Sequence, residues 1–193
     1  MKGVRIIILG ALLTCMSASA YAANPATFDV QVIVQLLSVI IDAGDPVDFG
    51  TVQMNTQTMA PYDVDIRNDG NALQDFQLQI TNRTPGNLIT HEALSPMASP
   101  ADDDNYKLYG MFDADGLLLG VAIAPGDYAD LGDVIFESAA RDTDVNFLSG
   151  DDDANSVAAG NTVYLWLMFE SPPGLTAAHP QETIEVTVTA IPD

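Results

Sequence analysis

The stretch YDVDIRNDGNALQDFQLQIT, residues 62–81, decides the fold class of this sequence. Every second position on both sides of its centre is apolar: Tyr62, Val64 and Ile66, then Phe76, Leu78 and Ile80. A period of two is typical of a strand that buries one face. At the centre, the sequence NDGN of residues 68–71 favours a turn, because Asn and Gly tolerate positive φ. The stretch therefore predicts two β-strands joined by a tight turn.

Similar apolar patterns recur along the rest of the chain, separated by turn residues. They predict further strands at residues 28–37, 47–52, 106–112, 117–123, 134–136, 163–169 and 184–189. Residues 163–169, VYLWLMF, are apolar on both faces, so we expect this strand at the centre of a sheet. Sustained helical periodicity is missing from the sequence. The pattern predicts an all-β fold, an antiparallel β-sandwich with two long irregular loops at 82–105 and 137–161.

The N-terminus has the features of a secretory signal peptide. Lys2 and Arg5 precede an apolar run at residues 6–16, and Ala20-Tyr21-Ala22 offers a small-x-small cleavage site. The alternative is an uncleaved anchor, but a membrane-spanning helix needs about 20 apolar residues. The sequence therefore predicts a signal peptide at 1–22 and a single domain at 23–193. It predicts a secreted protein, located in the periplasm, at the cell surface or in an extracellular matrix.

Composition limits the partners of the mature chain. After cleavage it keeps all 27 acidic residues but only four of the six Lys and Arg residues. Nucleic-acid binding needs clustered cations, so we expect no nucleic-acid partner. The only cysteine, Cys15, lies in the leader, which leaves no disulfide framework. No second apolar span follows, so we expect no transmembrane segment in the mature chain.

Residues 47–52, VDFGTV, followed by residues 62–71, YDVDIRNDGN, resemble a known signature. The pattern is similar to the DFG-x-V and V-x-N-x-G-N motifs of Hydin-type immunoglobulin-like domains, found in exported bacterial β-sandwich proteins. The resemblance covers about residues 47–81, and it implies an immunoglobulin-like sandwich with no catalytic residues. A fainter resemblance is to pilin-like coat proteins of the spore-coat U type. Those proteins carry paired cysteines, which the mature chain lacks.

The Asp-rich part of the second loop suggests calcium. Asp142, Asp144 and Asn146 place oxygen-bearing side chains at positions 1, 3 and 5 of a loop, and Asp153 falls at position 12. Asp151 adds a further carboxylate. An EF-hand also needs Gly at position 6 and Glu at position 12, so this is not one. The sequence leaves two interpretations open: a loop that binds calcium, or a solvated acidic loop.

The residues typical of enzymes are few. The mature chain has no cysteine and no Gly-x-Ser-x-Gly motif, and its histidines are His91 and His179. Zinc would need clustered His or Cys residues. The sequence therefore predicts a non-catalytic protein, with a secreted hydrolase as a distant alternative.

The predicted first strand suggests a structural role. One face of it consists of Phe28, Val30, Val32, Val34 and Leu36. Because the strand follows the cleavage site closely, it is placed to complete a neighbour's sheet; the alternative is an edge strand of its own sandwich. The leading hypothesis is an exported structural or surface protein that associates with copies of itself or with cell-surface components. The other hypothesis is a calcium-stabilised module for adhesion or carbohydrate binding.

Overall fold

The computed structural model describes residues 34–92, 97, 102–113, 134–147, 154–177 and 181–193. The chain divides into two compact units, residues 1–34 and residues 35–193. The second unit contains every strand described below. The predicted signal peptide, and Phe28, Val30 and Val32 of the predicted first strand, lie outside the described residues.

Within the described residues the chain forms nine strands in two sheets. They are β1 (Val39–Ala43), β2 (Gln57–Met59), β3 (Val64–Asn68), β4 (Gln74–Thr84), β5 (Ile89–Thr90), β6 (Asn105–Asp113), β7 (Arg141–Asp142), β8 (Thr162–Glu170) and β9 (Thr183–Pro192). The larger sheet has the order β1-β3-β8-β6-β5, with β2 also paired to β8, and the smaller sheet has the order β7-β4-β9. The pairs are antiparallel except β5 with β6. The predicted all-β sandwich is confirmed.

The main core fills the space between the two sheets. Ile66, Phe112 and Leu165 project from the larger sheet, and Phe76 and Leu78 from the smaller one. All five are at most 3 % exposed. Their alternation in the sequence is the period-two pattern of strands that bury one face. Burial of this apolar surface between the sheets is the main source of the fold's stability.

A second apolar cluster explains why β8 is apolar on both faces. It contains Tyr109, Met111 and Met168, with Trp166 packed against it. Since β8 pairs with β2, β3 and β6, it lies in the interior of its sheet. The expected central strand at 163–169 is therefore confirmed.

The turn predicted at residues 68–71 joins β3 to β4. Strand β3 pairs with β1 and β8, whereas β4 pairs with β7 and β9. The turn therefore carries the chain from one sheet to the other, and the two flanking strands do not form a hairpin.

Two predicted strand positions were wrong. Residues 34–37 are not part of a strand, because β1 begins at Val39. Residues 47–52 pair with no strand, although Val47, Phe49 and Val52 pack against the core. The N–H of Gly50 donates to Asp48 Oδ1, and this local bond together with a φ of 64° bends the chain away from a ladder. Strand β2 follows instead, and it was not predicted.

The two predicted loops contain more structure than expected. The first includes β5 and the end of β4, and the second includes β7. Val134 forms only an isolated bridge, with Tyr109, where a short strand was predicted. The predicted strand at 117–123 lies outside the described residues. No helix in the described part of the chain is long and apolar enough to span a membrane.

Candidate functional site

The chain that leads into β1 is fastened to the 68–74 segment by side-chain amides. The N–H of Leu36 donates to Asn71 Oδ1 at 2.7 Å, and the N–H of Asn71 donates to the Leu36 carbonyl at 3.1 Å. Gln74 binds Ser38 in the same reciprocal way: its Nε2 donates to the Ser38 carbonyl at 2.9 Å, and its Oε1 accepts the Ser38 N–H at 3.3 Å. These bonds substitute for a strand ladder where β1 has not yet begun.

Asn68 holds the segment that provides these amides. Its Nδ2 donates to the carbonyls of Ala72 and Val157 at 2.8 and 2.7 Å, and its Oδ1 accepts the Gly70 N–H at 2.8 Å. Asn68 and Gln74 are completely buried. We call Asn68, Asn71 and Gln74 the amide clasp. The sequence predicted the turn from these residues but gave no sign of the clasp, because its bonds to Leu36 and Ser38 span more than 30 residues.

The described part of the predicted assembly strand leaves its apolar face uncovered. Val34 is 75 % exposed and Leu36 is 58 % exposed. Ile40 and Ile41 in β1 are each 39 % exposed. Isolated exposed apolar residues are ordinary, but a run of them on one segment is typical of an interaction surface. The other members of this face, Phe28, Val30 and Val32, lie outside the described residues.

The end strands of the two sheets differ greatly in length. Strands β1 and β5 end the larger sheet, and β7 and β9 end the smaller one. Strands β5 and β7 have two residues each, whereas β9 has ten. Strand β1 has five residues and an irregular register between Ile41 and Ala43. Among the described strands, β9 therefore offers the longest sheet edge.

The candidate calcium ligands are only partly described. Asp142, Asp144 and Asn146 lie in one turn, whereas Asp151 and Asp153 fall outside the described residues. Asp142 Oδ1 accepts the Asp144 N–H at 3.0 Å, and Asn146 Oδ1 accepts a hydrogen bond from the Arg141 guanidinium. Within the described ranges no group of three or more His, Cys, Asp or Glu residues is placed to hold a metal ion. The turn is thus held by its own hydrogen bonds, and calcium binding stays a prediction.

Asp75 is the buried acid of this region. It is 5 % exposed, and its Oδ1 accepts the Ser156 N–H at 2.7 Å. Burial raises the pKa of Asp75 above its ordinary value, and the negative charges of Asp193, Asp142 and Asp144 raise it further. The sequence gave no reason to single out Asp75, because the grouping depends on the pairing of β4 with β9 and β7.

The histidine considered for a hydrolase is partly buried. His91 Nδ1 lies 3.5 Å from Asp102 Oδ1, and their side chains are 14 % and 16 % exposed. An open pocket lies elsewhere, between Gly44 and Asp63, and His91 is not among the residues that line it. His179 is outside the described residues.

Comparison with known proteins does not assign the chain to a family. No protein-family model matches the chain, and no curated protein gives a significant match. The functional proposals below therefore depend on the sandwich, on the exposed residues Val34 and Leu36, and on the length of the end strand β9.

Proposed function

We propose that this chain is an exported, non-catalytic structural protein of the cell surface or extracellular matrix, whose copies associate through the N-terminal strand. The observation that carries the proposal is the exposure of Val34 and Leu36, at 75 % and 58 %. In the predicted strand these residues share one face with Phe28, Val30 and Val32. An alternating apolar strand of this kind is suited to complete another sheet.

The distribution of charge supports association at this end of the mature chain. The 27 acidic residues give the protein a strong negative charge, which keeps separate copies apart. Residues 24–41 contain only one of them, Asp29. Residues 24–41 are therefore a part of the chain that can approach another copy with little repulsion.

The two-sheet architecture also supports an immunoglobulin-like form of sandwich. Strands β3 and β4 lie in different sheets, and the Asn68–Asn71 turn joins them. Crossings of this kind between sheets are usual in such domains. This form of sandwich serves many binding and structural roles, so it agrees with the proposal without selecting it.

The test begins with the exported protein, expressed with its own leader. Mass spectrometry of the secreted chain is expected to give Ala23 as the first residue. Electron microscopy of the purified protein is expected to show ordered assemblies. The variant Val34→Ser/Leu36→Ser removes the two exposed apolar side chains and is expected to leave monomers.

A matched control is available in the same chain. Leu73 and Val145 are 50 % and 66 % exposed, so Val145→Ser/Leu73→Ser changes the same residue types at other sites. This control is expected to assemble like the wild type. Equal assembly of both double variants would contradict a role for the N-terminal strand, and an uncleaved or retained chain would contradict export.

The second candidate function is a calcium-stabilised adhesion or carbohydrate-binding module. The observation that favours it is the group of negative charges around Asp75, which a bound cation would compensate. A calcium ion that binds only the folded state raises the melting temperature of the protein. The expected result is an increase at about 1 mM calcium, typical of extracellular sites, that Asp142→Asn/Asp144→Asn abolishes. An unchanged melting temperature at millimolar calcium would remove this candidate.

A further inference from the structure

We propose that the outer edge of β9 in one copy is the surface that receives residues 28–36 of a second copy. This inference rests on the proposed function and adds the acceptor to it. The argument follows from the direction of the backbone groups in β9, from its charge and from the other sheet edges.

The contacts of β4 show which groups of β4 point away from β9. Gln74 exchanges backbone hydrogen bonds with Val157, and Phe76 bonds to Thr143 through both its N–H and its carbonyl. The N–H of Ile80 donates to the Phe136 carbonyl. These partners all lie on the side of β4 that is opposite to β9. In an antiparallel pair, residues that point away from each other alternate with residues that exchange both bonds.

The register then identifies the backbone groups of β9 that point away from β4. Ile80, Leu78, Phe76 and Gln74 lie opposite Val186, Val188, Ala190 and Pro192. The N–H and C=O groups of the first three of these β9 residues therefore point outward, away from β4. Proline has no N–H, so Pro192 ends the usable edge at the C-terminal side. We call Val186–Ala190 the acceptor edge.

The acceptor edge lacks the features that normally prevent pairing between proteins. Exposed edges are usually protected by charged side chains, bulges, proline or short length. Between Thr183 and Pro192 the only charged residue is Glu185, in a chain with 27 acidic residues. By contrast, β1 carries Asp42 and an irregular register, and β5 and β7 are two residues long; the irregular register of the β4–β9 pair lies opposite Glu185 and Val186, at one end of the acceptor edge. Among the described edges, β9 is the one suited to receive a strand.

The segment that binds at the acceptor edge comes from a second copy of the chain. Leu36 belongs to the same unit as β9, and it is fastened to Asn71 through its backbone. Leu36 nevertheless remains 58 % exposed, so its own unit does not cover this residue. Residues 28–36 contain one charge, Asp29, and β9 contains one charge, Glu185. Two nearly uncharged segments can pair where the rest of the surface repels.

Cysteine cross-linking can test the pairing, since the mature chain has no cysteine of its own. Val32 is the centre of the donor and Val188 the centre of the acceptor edge, so these positions meet in either strand orientation. Val32→Cys and Val188→Cys are prepared as separate proteins, mixed, and treated with a short thiol cross-linker. Docking holds the two thiols at a high effective concentration, so we expect about ten-fold more cross-linked dimer than for Val32→Cys mixed with Val145→Cys.

A proline variant provides a second measurement. Val188→Pro removes an outward N–H that β4 does not use, and an edge strand tolerates proline at such a position. We expect the monomer to keep its melting temperature and to lose most of its assembly. If this variant fails to fold, the cross-linking result alone decides.

The outcomes separate the inference from the proposed function. Assembly with no more cross-linking than the control would place the acceptor elsewhere and overturn the inference only. A wild-type protein that stays monomeric would overturn the proposed function as well. Cross-linking within single molecules of a Val32→Cys/Val188→Cys double variant at high dilution would show a strand that completes its own sheet, which also overturns the inference.

Discussion

Replacing Asn68 with alanine is expected to destabilise the sandwich by about 2–4 kcal/mol. The change removes three hydrogen bonds, of 2.8, 2.7 and 2.8 Å, from a completely buried side chain. It leaves the Gly70 N–H and the Ala72 carbonyl, both part-buried, without these partners. A hydrogen bond contributes about 0.5–1.5 kcal/mol, and three such bonds account for the expected loss. The Val157 carbonyl loses less, because it still accepts the Gln74 N–H at 3.2 Å.

This loss of stability can be measured by unfolding the mature protein in urea. The fluorescence of its only tryptophan, Trp166, monitors the unfolding. With a slope of about 2 kcal/mol per molar urea, the middle of the usual range, the midpoint should fall by about 1–2 M. Asn68→Asp keeps an acceptor for Gly70 but turns a carboxylate towards two carbonyls. It should therefore be at least as unstable as Asn68→Ala at pH 7, and it should recover part of the loss as acidification protonates the carboxylate.

Asn161→Ala is the control for this prediction, because Asn161 is exposed and its replacement should change stability by less than about 0.5 kcal/mol. A loss below about 1 kcal/mol for Asn68→Ala, or a loss equal to that of Asn161→Ala, would refute the argument for the clasp.

Two further predictions concern strain and pH. Gly44→Ala should lower the free energy of unfolding clearly more than Gly50→Ala in urea. Both glycines have positive φ, 86° and 64°, but of the two only Gly44 would bring a Cβ against backbone, at the Asp63 carbonyl oxygen. Equal losses would show that the contact with Asp63 is relieved by a small shift. Asp75→Asn should stabilise the protein at pH 7, because it removes a buried charge but keeps an oxygen acceptor for Ser156. The pKa of Asp75 is raised in the folded state, so the wild type regains this stability as the pH falls through that raised pKa towards 3.8, and the advantage of the variant should disappear there. An advantage that is the same at pH 3.5 and pH 7 would contradict the assignment.

The strands that the sequence predicted correctly are those with a buried face. Residues 64–68, 74–84, 105–113, 162–170 and 183–192 form strands because their apolar side chains alternate or cover both faces. This signal is local, since each residue's neighbours two positions away lie on the same face. The turn at Asn68–Asn71 was also local, since it depends on residues that tolerate positive φ.

The wrong strand predictions concern segments that lack the backbone hydrogen bonds of a β-ladder. Residues 47–52 alternate like a strand, and Val47, Phe49 and Val52 do pack against the core. Alternation reports which face is buried, however, and does not report whether another strand is available for hydrogen bonding. The late start of β1 at Val39 has the same cause, because the amide clasp binds Leu36–Ser38 in place of a neighbouring strand.

The candidate site could be predicted less completely from the sequence than the fold could. The alternation predicted an apolar face that includes Val34 and Leu36, but whether it is covered depends on the whole sandwich. The acceptor edge depends on the register of β9 against β4, which joins residues more than 100 positions apart. No local pattern contains that information. Asp142, Asp144 and Asn146 lie in one short turn because they are close in the sequence, and calcium binding there stays a prediction.

Sedimentation velocity of the exported wild-type protein, over a range of concentration and salt, tests association through the N-terminal strand most directly. The mature chain carries 27 acidic residues against four Lys and Arg residues, so salt should screen the repulsion between copies. The account predicts a sedimentation coefficient that rises with concentration and with salt for the wild type, and stays at the monomer value for Val34→Ser/Leu36→Ser. A wild type that remains monomeric in every condition, or a double variant that associates equally well, would contradict it.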